Sequence, residues 1–169
     1  MSSHRIAEIT SASDRHFGPA VDLLVRFFGE EGFTTPHDRI VRNVQTMLAD
    51  DNCWTAVLLE DDEVVGVISV STMLYVEHGR LAEIGDLYID TIHRGRGLAR
   101  ALIDAAIDWT RRRGCSGVYV TVTPEGEARY RLSEFYKNLH FAPTGRTTMI
   151  FEGALKGASP PCSTTSRSA

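Results

Sequence analysis

The sequence of 169 residues contains few cysteines and no long apolar segment. Its three cysteines are widely spaced and form no C-x-x-C pair, which excludes a disulfide framework or a zinc ribbon and suits a reducing compartment. No apolar run approaches the roughly 18 residues of a membrane span, and the N-terminal residues lack the apolar region of a signal peptide. We therefore expect a cytoplasmic protein that does not associate with membranes.

Metal-ligand spacing and an excess of basic residues are also missing. No two of the six histidines lie at the spacing of a metal site together with an acid, so we predict no bound metal. The net charge of −4 argues against a dedicated nucleic-acid-binding protein. However, residues 1–90 hold 16 acidic and 6 basic residues, whereas residues 91–169 hold 6 acidic and 12 basic residues. This asymmetry suggests different partners for the two parts of the chain, although charge also varies along any solvated surface.

The composition that remains is ordinary for a globular protein, with 43% hydrophobic and 24% charged residues, and it predicts one self-sufficient domain. Apolar periodicity and turn residues predict the order β-α-α-β-β-β-α-β-α-β, with one helix over 125–139 and a last strand over 147–151. This order indicates an α/β fold in which helices cover a mixed sheet. The domain is predicted over residues 1–155. Residues 156–169, rich in Gly, Ser, Thr and Pro, are predicted to form a flexible tail.

The most informative segment is a Gly/Arg-rich loop between an apolar strand and an amphipathic helix, within residues 86–99. Such a loop binds anions because the first N–H groups of the helix lack intrahelical partners and its dipole is positive there. Arg94 and Arg96 add positive charge beside those amides. A Walker A pattern is absent, and the dinucleotide fingerprint would need a third glycine where Arg100 stands. Neither of these nucleotide-binding motifs therefore accounts for the loop.

Arg94-x-x-Gly97-x-Ala99 resembles the [QR]-x-x-G-x-[GA] loop of the GCN5-related N-acetyltransferase (GNAT) superfamily. A second segment, FYKNLHF at residues 135–141, is similar to the FYxxxGF helix end of that family. The resemblance covers about residues 4–152. It implies a single α/β domain with a mixed, mostly antiparallel central sheet and helices on both faces. It also implies acetyl-CoA as co-substrate, with no metal.

The resemblance implies a cofactor site along the end of the strand and the loop that follows. The backbone of Leu87, Tyr88 and Ile89 is expected to pair with pantetheine, with one amide polarising the acetyl carbonyl. The pyrophosphate is expected on the loop residues Arg94, Gly95, Arg96, Gly97, Leu98 and Ala99. The sequence departs from the family twice. Arg129 stands where many members carry Asn, and it is a candidate contact to a CoA phosphate. His140 replaces a glycine at a position expected to be left-handed.

Acyl transfer to an amine requires a neutral amine, a stabilised oxyanion and a proton for the leaving thiolate. By resemblance, Tyr136 protonates the thiolate, the alternative being a tyrosine that only packs in the core. Glu83 is the candidate base, the alternative being an ordinary exposed strand residue. Strand alternation directs Asp86 to the face opposite Glu83 unless Gly85 forms a bulge, in which case Asp86 anchors the substrate amine. Which carboxylate takes the proton is left open.

In the family, the N-terminal helices and the first hairpin form the acceptor side, so the acidic part of this chain falls there. Glu30 and Glu31 are candidate contacts to a cationic amine. We therefore expect an N-acetyltransferase acting on a small cationic amine, aminoglycoside-like or polyamine-like, with no nucleic-acid partner. The alternatives are an acetyltransferase of peptide or protein amines and an acyl-CoA-binding sensor without turnover. Relatives are often dimers, so a homodimer is a further expectation.

Overall fold

A computed structural model describes residues 4–150 of the chain. The predicted tail at residues 156–169 lies outside the described residues. Three elements come first: β1 (His4–Glu8), α1 (Phe17–Glu30) and α2 (His37–Leu48). Three long strands follow: β2 (Cys53–Glu60), β3 (Glu63–Tyr75) and β4 (Gly79–Ile89). After a single 3-10 turn at Thr91–His93 come α3 (Leu98–Arg112), β5 (Gly117–Val120), α4 (Pro124–Tyr130) and α5 (Leu132–Lys137).

The five strands form one sheet in the order β1-β2-β3-β4-β5, antiparallel throughout except for the parallel pair β4–β5. The helices cover both faces of this sheet. On one face, α1 and α2 pack through Leu23, Leu24 and Val44 against β2 and β3. On the other face, α3 packs through Leu102 and Ile103. The predicted α/β fold with a mixed, mostly antiparallel sheet and helices on both faces is confirmed.

Two predicted elements near the C-terminus were wrong. Residues 147–150 form no strand, and Phe151 lies outside the described residues. Met149 and Ile150 are exposed, and strand preference produces a strand only where the side chains find a neighbouring surface on which to pack. The predicted single helix over 125–139 is divided into α4 and α5, because Arg131 between them has a left-handed backbone with φ of +53°.

A bulge at Gly85 changes the direction of the side chains along β4. Ser69 of β3 pairs with Asp86, whereas the next residue, Val70, pairs with Ile84, so Gly85 is an extra residue without a partner. Because a bulge inserts one residue into the two-residue alternation of a strand, Asp86 lies on the same face as Glu83. This is the arrangement that the sequence made conditional on a bulge.

The same point on β4 marks the place where the sheet opens. β5 pairs only with residues 81–84 of β4, although β4 continues to Ile89. Beyond Ile84, the outer side of β4 therefore has no strand partner among residues 4–150, and a gap remains between β4 and the segment that follows β5. Within the same residues, no helix combines the length and the apolar character needed to cross a bilayer.

Candidate active site

A cleft of about 650 Å³ occupies the gap beside the second half of β4. It brings together twelve of the fifteen site residues predicted from the sequence. These are Glu30, Glu31, Asp86, Leu87, Tyr88, Ile89, Arg94, Gly95, Gly97, Leu98, Ala99 and Tyr136. The other three, Glu83, Arg96 and Arg129, do not line the cleft.

The loop before α3 presents free backbone donors to the cleft. Gly95 and Gly97 have φ of +77° and +79°, a left-handed conformation that residues with a Cβ rarely adopt. The first intrahelical bond runs from the Ala101 N–H to the Gly97 carbonyl, so the N–H groups of residues 98–100 have no backbone acceptor. Together with the positive end of the helix dipole, these amides form a site suited to an anion.

The outer edge of β4 offers a further backbone donor. The Asp90 N–H donates to the Val65 carbonyl on the β3 side, whereas the Ile89 carbonyl accepts from Arg94 Nε at 2.9 Å on the cleft side. Alternate residues of a strand direct their N–H and C=O groups to the same side. The backbone of Leu87 therefore points into the cleft like that of Ile89, and its N–H is available to a carbonyl oxygen.

The Asp86 carboxylate lies at the inner end of the cleft and has no basic partner among residues 4–150. The Ser69 hydroxyl donates to Asp86 Oδ2 at 2.5 Å and accepts from the Asp86 N–H at 3.1 Å, which fixes the side chain. Burial raises the pKa of Asp86, the Ser69 hydrogen bond opposes this, and the nearby negative charge of Glu83 raises it further. The arrangement favours binding of a cation or of a proton.

Tyr136 on α5 lines the cleft, and its ring packs against two neighbouring aromatic side chains. Its ring centroid lies 5.1 Å from that of Phe135 and 5.4 Å from that of Phe141. Burial raises the pKa of Tyr136 to about 12, so its hydroxyl is protonated at neutral pH. His140 has φ of +68°, the left-handed conformation expected from the sequence, and the turn there brings the Phe141 N–H to within 3.0 Å of the Tyr136 carbonyl oxygen.

Glu83 and Arg129 make contacts inside the protein instead of lining the cleft. The Glu83 carboxylate accepts hydrogen bonds from the hydroxyls of Tyr119 and Thr121, each at 3.1 Å. The Arg129 guanidinium donates to the Glu30 carbonyl oxygen at 2.9 Å. Glu83 therefore influences the site through its charge on Asp86, and Arg129 ties α4 to the end of α1.

Glu30 is paired within the protein. Its carboxylate accepts hydrogen bonds from the Tyr88 hydroxyl at 2.6 Å, from Arg94 at 3.0 Å and from the Tyr130 hydroxyl at 3.2 Å. Partial burial disfavours the ionised form of Glu30, but these hydrogen bonds outweigh it and hold the pKa below its usual value. Glu31 similarly accepts from the Thr123 hydroxyl at 3.1 Å. Both acids thus connect the end of α1 to the opposite wall of the cleft.

The second loop arginine is paired as well. Arg96 donates two hydrogen bonds to Glu60, at 2.6 and 2.8 Å, and His93 Nδ1 lies 2.8 Å from the same carboxylate. By contrast, Arg100 in the first turn of α3 lines the cleft, and its only ion pair among residues 4–150 is a 3.8 Å contact with Asp104. Arg100 was not among the site residues predicted from the sequence, although its place one turn into the helix after the loop was a usable signal.

The aromatic wall of the cleft was also not predicted. Phe27, Phe28 and Phe33 line it from α1 and the following turn, and Tyr130 lines it from α4. Arg94 lies over two of the tyrosine rings, 5.0 Å from the centroid of Tyr88 and 5.2 Å from that of Tyr130. Aromatic residues at helical spacing usually pack in a core, so their sequence pattern alone did not distinguish these positions from core positions.

Comparison with known sequences gives consistent results. The sequence model of the acetyltransferase (GNAT) family matches residues 19–141. The chain is 35% identical over 114 residues to mycothiol acetyltransferase from Beutenbergia cavernae, covering 68% of this chain and 36% of that protein. It is 30% identical over 91 residues to glucosamine 6-phosphate N-acetyltransferase 1 from Oryza sativa subsp. japonica, covering 50% and 52%. The matches thus span between about a third and a half of these relatives.

The fold also matches solved structures. One is the aminoglycoside N-acetyltransferase AAC(6')-Iy in complex with CoA, with a TM-score of 0.77. The superposition covers 91% of this chain and 97% of that one, at 18% identity. At this identity, the likeness demonstrates a shared fold.

Proposed function

The chain belongs to the acetyltransferase (GNAT) family, and from this premise we propose that it transfers the acetyl group of acetyl-CoA to a primary amine of a small cationic molecule. The observation that carries the proposal is the convergence of four groups on one cleft. These are the free amides at the start of α3, the Leu87 N–H, the Asp86 carboxylate and the Tyr136 hydroxyl. The amides serve to bind the cofactor, and the other three groups meet the three requirements of acyl transfer: a stabilised oxyanion, a neutral amine and a proton for the leaving thiolate.

Acetyl-CoA fits the cleft from the loop to the bulge. Its pyrophosphate binds the N–H groups of residues 98–100, and Arg100 supplies a nearby positive charge. The pantetheine arm lies along the outer edge of β4, whose backbone groups are not used by a strand there. The acetyl carbonyl then accepts a hydrogen bond from the Leu87 N–H, which stabilises the oxyanion that forms during attack.

The amine binds at Asp86. An alkyl amine with a pKa near 10 is protonated at neutral pH and must lose a proton before it attacks. Asp86, with its raised pKa and no basic partner among residues 4–150, binds the ammonium group and takes this proton. Of the two predicted carboxylates, we therefore assign the base role to Asp86. The Glu83 charge strengthens its basicity.

The chemical step then proceeds by direct attack. The amine nitrogen forms a bond to the acetyl carbon, the tetrahedral oxyanion collapses, and the carbon–sulfur bond breaks. Tyr136 gives its proton to the departing thiolate and recovers a proton from solvent, while the second amine proton is lost to solvent. The products are the acetylamide and CoA.

The names of relatives support a small acceptor. Two are named as acetyltransferases of mycothiol and of glucosamine 6-phosphate, and the structural neighbour is named for aminoglycosides. The carboxylates of Glu30 and Glu31 already accept hydrogen bonds from Arg94 and Thr123. We therefore propose that Asp86 is the residue that binds the positively charged amine.

The test is release of thiol from acetyl-CoA in the presence of a panel of polyamines, aminoglycosides and simple primary amines, with calorimetry of acetyl-CoA binding. We expect binding, and turnover with at least one amine. If acetyl-CoA binds but no amine gives thiol, the sensor alternative replaces the enzyme. If acetyl-CoA does not bind, the proposal is wrong.

A further inference from the structure

A second cavity lies beneath the cleft, on the face of the sheet covered by α1 and α2. Its volume is about 280 Å³, and it is more enclosed than the cleft. Its wall is mostly apolar and includes Leu24, Ile40, Val44 and Met47. We call this cavity the inner chamber. Cavities that hold drug-sized ligands occupy roughly 300 to 1,000 Å³, so the inner chamber suits a somewhat smaller molecule.

The inner chamber and the cleft meet at Asp86. This residue lines both cavities, and so do Phe28 and Phe33. The bulge at Gly85 causes this, because it directs the Asp86 side chain to the α1/α2 face while the next backbone N–H faces the cleft. A molecule whose ammonium group binds Asp86 can therefore extend its body into the inner chamber while its nitrogen lies beside the acetyl site.

A polar group without a partner marks the far side of the inner chamber. Thr55 lines it and is 2% exposed, and its hydroxyl makes no hydrogen bond within the described part of the chain. Buried hydroxyls are normally hydrogen-bonded. Thr55 pairs with Ser69, and Ser69 pairs with Asp86, so the three residues form one row across β2, β3 and β4. Two strand intervals place Thr55 about 10 Å from Asp86.

The charge of the inner chamber restricts its occupant. Among residues 4–150, Asp86 is the only acidic residue that lines it, and the other polar residues of its wall, Thr35, Asn43, Thr55 and Ser69, are uncharged, so a second ammonium group would have no opposite charge to pair with there. We propose that the acceptor is a monoamine with a compact apolar body, such as an arylalkylamine, and with a hydrogen-bonding group at its far end that reaches Thr55. This inference rests on the proposed function, and it narrows the cationic acceptor from a polycation to a single amine.

The experiment compares phenethylamine, tyramine, spermidine and an aminoglycoside as acceptors. We expect kcat/KM to be highest for tyramine, which carries both the amine and a distal hydroxyl. Filling the inner chamber by Val44→Phe should raise KM for tyramine about 10-fold or more, because a pocket discriminates a single methylene to that extent. Val41→Phe provides the matched control on the same helix, since Val41 packs in the same core but does not line the chamber. We expect it to leave KM unchanged.

A second pair of variants tests the distal contact. Thr55→Val removes the hydroxyl at nearly constant volume and should lower kcat/KM for tyramine about 3- to 10-fold, the effect of one neutral hydrogen bond, with no loss for phenethylamine. Thr55→Ser keeps a hydroxyl and should retain the preference for tyramine. Calorimetric binding of both amines to the CoA-bound protein provides a readout that does not depend on turnover.

The outcomes separate the two proposals. If kcat/KM for spermidine or the aminoglycoside exceeds that for tyramine, and Val44→Phe does not change it, the inner-chamber inference is overturned. The proposed function then stays intact. A second outcome is that no amine is turned over but tyramine binds, and that Val44→Phe abolishes this binding. That result supports the inner chamber as the amine site and overturns the proposed function. Absence of both turnover and amine binding overturns both.

Discussion

Replacing Tyr136 with phenylalanine removes a single hydroxyl while keeping the ring contacts with Phe135 and Phe141. In the proposed mechanism, this hydroxyl protonates the departing thiolate. General acid catalysis contributes about 10²- to 10⁴-fold, and a thiol with a pKa near 8.5 is a good leaving group, so we expect kcat to fall about 10²-fold. The dissociation constant of acetyl-CoA, measured by calorimetry, should stay unchanged, because the hydroxyl acts only when the thiolate leaves.

The raised pKa of Tyr136 gives an independent check on its environment. The folded protein holds the pKa at about 12, about two units above the value of 10 in an unfolded chain. As pH rises from 9 to 11, the unfolded state loses this proton first, so the wild type loses about 1 kcal/mol of unfolding free energy that Tyr136→Phe retains. Denaturant unfolding at pH 9, 10 and 11 measures the difference. If Tyr136→Phe kept full kcat, Tyr136 would be only a packing residue.

Three other substitutions test separate parts of the site. Glu83→Gln removes a negative charge that raises the pKa of Asp86, so the acidic limb of the kcat/KM profile should move to lower pH; an unmoved limb would contradict the assignment of Asp86 as base. Gly97→Ala places a Cβ where φ is +79° with open space around it, so backbone strain of about 1 kcal/mol should lower the midpoint of urea unfolding and weaken acetyl-CoA binding. Arg100→Ala should raise KM for acetyl-CoA several-fold and reduce its salt dependence, whereas Arg112→Ala at the other end of α3 should not.

Most of the fold follows from local patterns in the sequence. The amphipathic stripe of α3 and the alternation in β2 and β3 reflect burial that each segment needs by itself. The absence of a strand at 147–150 and the break at Arg131 depend on tertiary contacts and turn geometry rather than on local patterns. A strand forms only where a neighbouring strand edge is available. The division into α4 and α5 depends on the left-handed backbone of Arg131, which arginine does not favour and which its residue type therefore did not predict.

The site was predictable where its chemistry depends on neighbouring residues and unpredictable where it depends on distant ones. The Gly97 cap and the Gly85 bulge are local features, because glycine tolerates the backbone that each requires. The pairing of Arg96 with Glu60 joins residues 36 positions apart, and no spacing rule describes it. The position of Arg100 in the sequence was a usable signal, but only the tertiary contacts show that Arg94 and Arg96 are paired with acids of the first part of the chain while Arg100 is not.

These pairings change the meaning of the charge asymmetry. The acids of the first part of the chain do not form an open negative surface at the site, because Glu30 and Glu60 pair with Arg94 and Arg96 of the second part. The anion affinity of the loop then rests on backbone amides and on Arg100, and the cation affinity rests on Asp86. A polycation that binds Asp86 with its body in the inner chamber would bury a second ammonium group, and the described residues that line the chamber include no second acid to pair with it. For this reason, acceptor selection should depend on the shape of the inner chamber more than on the number of positive charges.

The expected kinetic result is that KM for the amine depends only weakly on ionic strength, whereas KM for acetyl-CoA depends on it clearly. Strong salt dependence for the amine would instead point to the acidic surface as its binding site.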